Sequence, residues 1–351
     1  MKKTIDTNSV LLQARDLVKH YPIKTGVIRH TTGFVRAVDG VSFDLHPGET
    51  LGVVGESGCG KSTLGRLLMR LEEPTSGSVF FDGVEMYRQP LNGAAMKKLR
   101  RNIQIVFQDP YTSLNPRMTV GDIVGEPFKI HPEVAPKGSR RAKVQELLDM
   151  VGLNPEHISR YPHQFSGGQR QRIGVARGIA LNPKVLILDE PVSALDVSVQ
   201  AQVVNLLEKL QAELGLAYVF IAHDLAVVRH ICDRVAVMYL GRIAEMGNEE
   251  EIYDRPTHPY TQALLSAVPV PDPTLKDSSN QIVLTGDVPS PANPPAGCRF
   301  HTRCWKLKAQ GELGDSAFTA CSEVLPELRE HRDGQRTHLC ACHVPGPRIT
   351  G

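Results

Sequence analysis

A short apolar run, Thr50-Leu51-Gly52-Val53-Val54, leads directly into Gly55-Glu56-Ser57-Gly58-Cys59-Gly60-Lys61-Ser62-Thr63, and helical spacing follows over residues 61 to 71. A G-x-x-x-x-G-K-[ST] loop between a buried strand and a helix is the context in which backbone N–H groups curl around phosphate. Lys61 can reach the β- and γ-phosphates of a nucleotide, and Ser62 can ligate Mg²⁺. This unit commits the chain to an α/β nucleotide-binding core more firmly than any other feature.

The metal of such a site needs a second carboxylate. Val185-Leu186-Ile187-Leu188 is a continuous apolar run, as expected of a strand buried on both faces, and it ends in Asp189-Glu190. Asp189 can hold Mg²⁺ at the strand end, and Glu190, one residue on, can polarise water. Residues 10 to 55 read as strands with a turn at His46-Pro47-Gly48, and residues 140 to 152 have helical spacing. Val203 to Leu214 is amphipathic and stops at Gly215, and Ala217 to Ala222 is a further buried strand. Strand and helix alternate, which predicts a mostly parallel sheet.

A second glycine-rich stretch, Phe165-Ser166-Gly167-Gly168-Gln169, precedes a helix whose face carries Ile173, Ala176, Ile179 and Ala180. Ser166 is placed to cap that helix, and the free N–H groups there favour an anion. One nucleotide is not easily cradled by two loops of one domain. Two domains head to tail remove the difficulty: the second loop closes on the γ-phosphate held by the partner, in a dry interface where charge-assisted bonds are strong.

Composition excludes several classes. The 351 residues are 41% apolar and 22% charged with a formal net charge of +2, which gives no argument for a nucleic-acid partner. The basic clusters Lys97-Lys98-Leu99-Arg100-Arg101 and Arg140-Arg141-Ala142-Lys143 read as solvated helix faces. No apolar run reaches the ~18–20 residues that cross a bilayer, and Met1 to Asp6 lacks a signal-peptide core. The chain is therefore expected to be cytosolic, with any membrane role exercised through a partner. Disulfides are not expected there. Seven prolines between Pro269 and Pro295 mark a linker, and five of the seven cysteines follow it.

Taken in order, these motifs make the whole chain resemble an ABC-transporter ATPase subunit. Gly55–Ser62 is similar to the Walker A motif, Ser166–Gln169 to the signature motif (Phe165 stands where Leu is usual), and Asp189 and Glu190 to the Walker B pair. Val106-Phe107-Gln108-Asp109-Pro110 resembles the Q-loop, Ser193-Ala194-Leu195-Asp196 the D-loop and Ala222-His223-Asp224 the switch histidine; Tyr21 stands where an aromatic stacks on adenine. The resemblance implies a P-loop NTPase fold of ABC type: a mixed or parallel sheet core, an antiparallel β subdomain, a helical signature subdomain and a small irregular Cys-rich C-terminal region. It implies Glu190 as general base, His223 on the γ-phosphate, Gln108 sensing Mg²⁺ and water, and Asp196 crossing the dimer interface.

Thr257–Leu265 and Gly297–Cys304 resemble the tail motifs of the dipeptide/oligopeptide/nickel importer branch, as do Tyr111–Pro116 and Glu190–Ser198. That branch implies import of dipeptides or oligopeptides, with nickel and glutathione as alternative solutes. It also implies a second, homologous ATPase subunit, two integral membrane permease subunits, an extracytoplasmic solute-binding protein acting indirectly, and a peripheral place on the cytoplasmic face of the membrane. A soluble non-transport ABC ATPase is the alternative, but such chains usually carry two cassettes or a long coiled coil. The expected division is an ATPase domain over 1–265 with its helical subdomain at about 109–180, a Pro-rich linker over 266–297, and a Cys-rich region over 298–351.

Cys298, Cys304, Cys321 and Cys342 fall at C-x₅-C-x₁₆-C-x₂₀-C, with Cys340 an alternative last ligand. The Ala341-Cys342 ending matches the branch and favours Cys342. Four thiolates could hold together a lobe too poor in apolar residues to form its own core. Tetrahedral sulfur suits Zn²⁺ or an iron–sulfur cluster, and spacings wider than those of zinc ribbons favour [4Fe–4S].

Overall fold

The computed structural model describes residues 9–26, 30–88, 93–109, 113–268, 281–308, 314–331 and 338–346. Met1–Asp6, Tyr111-Thr112 and the linker residues 269–280 lie outside these ranges.

The apolar runs of the sequence form the middle of an eight-stranded sheet. β3 (Thr50–Val54) lies between β8 (Ala217–Ala222) and β9 (Arg234–Tyr239), with β7 (Val185–Asp189) and β6 (Ile103–Val106) beyond β8; all these neighbours are parallel. Side chains alternate across a strand. Val185 and Ile187 accordingly enter one core, with Val53, Val219 and Ile221, while Leu186 and Leu188 enter the other, with Val54, Tyr218 and Phe220. Burial on both faces explains why β7 and β8 read as unbroken apolar runs.

A separate antiparallel sheet runs β2 (His30–Leu45), β1 (Leu12–Thr25), β4 (Ser76–Phe81), β5 (Val84–Glu85). Its Leu12, Leu17, Val41 and Phe43 pack in the same core as helix α1 (Lys61–Leu68), which follows β3. α2 (Gly93–Asn102) carries the first basic cluster with Leu99 alone buried among its fully described positions. Among the described residues, the longer helices α3 (Val120–Ile130), α4 (Arg140–Met150) and α5 (Gly167–Ile179) lie between β6 and β7. Thr119 caps α3 through its hydroxyl, which accepts from Asp122 N at 3.2 Å. α6 (Val197–Leu214) crosses from β7 to β8 and closes on Gly215, whose φ is 65°. α7 (Leu225–Ile231), β10 (Arg242–Asn248), α8 (Glu249–Tyr253) and α9 (Pro259–Ser266) follow β8 and β9 before the tail.

The tail departs from the irregular region expected of it. After the short helices α10 (Trp305–Lys308) and α11 (Gly314–Glu323), β12 (His338–Cys340) extends the main sheet antiparallel to β10, and β11 (Arg329–His331) pairs antiparallel with β12 at the edge. Buried Glu245 of β10 fastens this edge: its carboxylate accepts from Thr257 N at 2.6 Å and Thr257 Oγ1 at 2.7 Å, and lies 2.7 Å from His338 Nε2. Three-residue strands are too short to show alternation in sequence. Among the described residues no helix is long and apolar enough to cross a membrane.

Candidate nucleotide site

The phosphate loop emerges from β3 and opens α1. At Gly60 φ is 108° and a Cβ would fall 1.9 Å from Ala37 O, so only glycine fits there. Gly55 is similarly confined, a Cβ meeting Met238 O at 2.2 Å. α1 has Gly60 as its N-cap, with no side-chain cap and no acidic residue in the first turn. Its leading N–H groups therefore face the cleft with the positive end of the helix behind them. The cleft is a cavity of about 470 Å³ lined by Ser57, Lys61, Thr63, Gln108, Glu190 and His223, among others.

Within it, buried Lys61 donates from Nζ to Gly55 O at 2.7 Å and Glu56 O at 3.1 Å. Ser62 Oγ donates to Asp189 Oδ1 at 3.1 Å. Burial pushes the Asp189 carboxyl upward and neighbouring Glu190 adds to this, against the Ser62 hydrogen bond. A hydroxyl and a carboxylate so placed are a hard-oxygen donor set that fits Mg²⁺, and a cation there offsets the burial of the charge. Glu190 sits one residue past β7 at φ 47°, an uncommon conformation for a side-chain-bearing residue. Its N–H donates to Ile221 O at 2.9 Å. Two groups converge on its Oε2: Gln108 Nε2 at 2.9 Å and His223 Nδ1 at 3.2 Å.

The remaining candidates lie elsewhere. Ser166 caps α5: its Oγ accepts from Gln169 N at 3.3 Å, while Gln169 Oε1 accepts from Ser166 N at 3.0 Å. A Cβ on Gly168 would fall 2.3 Å from Val199 of α6. None of Ser166, Gly167, Gly168 and Gln169 lines the cleft of its own chain. Asp196 is exposed at the N-cap of α6 and makes no side-chain cap there; Val197, next to it, is 81% exposed. Tyr21 is not in the cleft lining; its hydroxyl bonds Glu72, and Thr63 is also within its reach. Val35, Ala37 and Pro291 line the cleft, and Pro291 O accepts from Arg36 N at 2.9 Å. Sequence reasoning missed these three, since apolar and proline side chains carry no phosphate-binding signal.

Cys298, Cys304, Cys321 and Cys342 line one small cavity, walled also by Pro259, Phe300, Leu307 and Val344. Burial pushes the Cys298 thiol up to about 12 and the Cys321 thiol to about 11, with neighbouring cysteines adding to both. Cys340 is absent from this lining; it sits in β12 opposite Glu245. Among the described residues no group of three or more His, Cys, Asp or Glu side chains is gathered as a ready metal-ligand set. The four-cysteine centre anticipated from the spacing is thus not gathered as a ligand set, although the four thiols line one cavity. The four sulfurs nevertheless make a soft donor set, and a bound cation would offset the burial that holds these thiols in their protonated form.

Comparison with known proteins agrees with the geometry. The ABC transporter family profile matches residues 38–193, and the profile for the oligopeptide/dipeptide transporter C-terminal region matches residues 244–310. The chain is similar to the oligopeptide transport ATP-binding protein AppF of Bacillus subtilis, 52% identical over 97% of this chain and 99% of that one. It is 53% identical to the dipeptide transport ATP-binding protein DppF of Escherichia coli, over 95% of this chain and 93% of the other. A solved dimeric ATP-binding cassette in a post-hydrolysis state, bound to ADP and Pi, superposes with a TM-score of 0.60 at 30% identity, covering 68% of this chain and 99% of that one.

Proposed function

The chain belongs to the ATP-binding subunits of oligopeptide/dipeptide ABC transporters, and from that premise we propose that it hydrolyses ATP to drive import of short peptides through a membrane permease. The observation that carries the ATPase chemistry is the convergence of Gln108 and His223 on Glu190 in the cleft that also holds Lys61. Gly55 to Thr63 wrap the phosphates, Lys61 turning from its loop carbonyls to the β- and γ-oxygens. Ser62 and Asp189, with Gln108 beside them, would hold Mg²⁺, which would supply positive charge to the phosphate oxygens. Glu190 takes a proton from the attacking water, whose oxygen bonds the γ-phosphorus as the bond to ADP breaks. His223 holds the γ-phosphate in line, and Tyr21 packs at the base.

Ser166–Gln169 then serve a nucleotide held by a second, homologous ATPase subunit, and exposed Asp196 faces that subunit. Their absence from the chain's own cleft supports this reading. The assembly includes two permease subunits and sits on the cytoplasmic side of the membrane, fed by an extracytoplasmic binding protein. Residues 1–265 act as the ATPase domain with the signature helices at about 109–180, 266–297 as linker and 298–351 as the Cys-rich region. Within that region Cys298, Cys304, Cys321 and Cys342 hold a structural [4Fe–4S] cluster, or Zn²⁺ in its place, a reading supported by their shared cavity. Cells lacking this chain, offered labelled di- and oligopeptides, nickel and glutathione separately, test the substrate. Loss of peptide uptake alone is expected; loss of nickel or glutathione uptake with peptide uptake intact moves the transporter to that solute.

A further inference from the structure

Both tail stretches singled out in the sequence meet the phosphate loop at one residue, Glu56. From α9, Tyr260 Oη accepts the Glu56 N–H at 3.0 Å. From the segment between Cys298 and Cys304, Arg303 donates Nη1 to the Glu56 carboxylate at 2.9 and 3.2 Å. Lys61 Nζ holds the Glu56 carbonyl at 3.1 Å, so backbone and side chain of this one residue are pinned from three directions. Arg303 is itself well fixed: its side chain is 9% exposed, its Nη1 lies 3.4 Å from Tyr239 Oη, and its guanidinium is 6.0 Å from the Tyr239 ring centroid. Tyr239 in turn packs on Tyr260 and Phe300, with centroids 4.7 and 5.4 Å away. Arg299 braces the other flank, pairing with Asp39 and donating to Leu240 O; Gly241, next in sequence, donates to Cys59 O at 2.9 Å.

A loop made to wrap phosphate has few hydrogen bonds of its own, so what keeps it open to the ligand is its surroundings. A preorganised site avoids ordering cost on binding. Removing the arginine leaves the Glu56 carboxylate unpaired beside a pocket for a polyanion. We propose that Arg303 is a positioning residue for nucleotide binding, acting through Glu56 to hold the phosphate loop in its ATP-accepting shape. The tail thereby sets the affinity of a site in the ATPase domain. Asp39 also bonds His20 and Arg242, at 2.7 and 3.4 Å, so Arg299 is the less decisive of the two arginines.

The inference rests on the ATP-binding reading above, and Lys61→Ala separates the two. Purified full-length protein is titrated with a fluorescent ATP analogue and Mg²⁺, and steady-state hydrolysis is measured in the assembled transporter. Arg303→Ala is expected to raise Kd and KM roughly tenfold, the scale of one charge-assisted hydrogen bond, with kcat within about twofold. Arg303→Lys recovers part of the affinity, having the charge without the planar fork. Glu56→Ala combined with Arg303→Ala binds no more weakly than Arg303→Ala alone. Native Kd in Arg303→Ala, or additive effects in the double variant, overturns the inference. If Arg303→Ala does not fold, Glu56→Gln takes its place: a raised Kd supports the brace and a native Kd removes it. Normal ATP binding by Lys61→Ala instead overturns the ATP-binding reading itself.

Discussion

Replacing Glu190 by glutamine isolates its basicity from its shape. Oε2 accepts from Gln108 at 2.9 Å and faces His223 at 3.2 Å, and the side chain is 14% exposed. A glutamine oxygen can keep the Oε2 position and the Gln108 bond, with the amide NH₂ turned to the other side. Fold, phosphate loop and metal ligands are therefore expected to survive, and ATP affinity to change by less than about threefold. What is lost is the proton acceptor for the attacking water. General-base loss costs about 10²–10⁴-fold, or roughly 3–5.5 kcal/mol of barrier at 1.36 kcal/mol per tenfold. Phosphate release is measured in the whole transporter with the partner's corresponding base also removed, since one intact site could mask the other. The expected product is a closed, ATP-loaded dimer. Hydrolysis within about threefold of native would show that Glu190 is not the base.

Two further outcomes follow from the same geometry. Ser166→Arg and Lys61→Ala in this chain should damage different nucleotide sites, Ser166 acting on the partner's ATP and Lys61 on this chain's own. Mapping trapped nucleotide to each subunit checks this, and one emptied site for both changes contradicts the head-to-tail arrangement. Anaerobic purification should give about four irons per chain and an iron–sulfur visible spectrum, bleached by Cys298→Ser with the tail made protease-sensitive and Lys61-dependent ATP binding kept. One colourless zinc replaces the cluster with a zinc site, and no metal removes the site.

Much of the catalytic cleft could be read along the chain because its parts are local. Lys61 and Ser62 follow a strand whose burial shows as an apolar run, and Asp189-Glu190 end another for the same reason. The parallel core was legible in the same way, since β7 and β8 are buried on both faces. What escaped was contact between distant segments. Glu56 and Arg303 are 247 positions apart, and each looks unremarkable in its own stretch. β11 and β12 escaped because three residues cannot show a period, and their place is set by Glu245 across the sheet rather than by local preference. Spacing singles out Cys298, Cys304, Cys321 and Cys342 as candidate ligands, and the fold lines one cavity with them, but spacing cannot say how closely the thiols approach. The bond that fixes Tyr21 escaped for the same reason: its hydroxyl is held by Glu72, 51 positions away, just past the end of α1.

The coupling of this chain's ATP hydrolysis to peptide import is tested most directly in proteoliposomes containing the permease subunits, the partner ATPase and the binding protein, with this chain left out and then added back. Labelled peptide and released phosphate are followed in the same vesicles. The account predicts that both are at background without the chain and rise together when it is added with ATP on its side of the membrane. Peptide uptake at the full rate in its absence, or restored hydrolysis with no peptide movement, would contradict it.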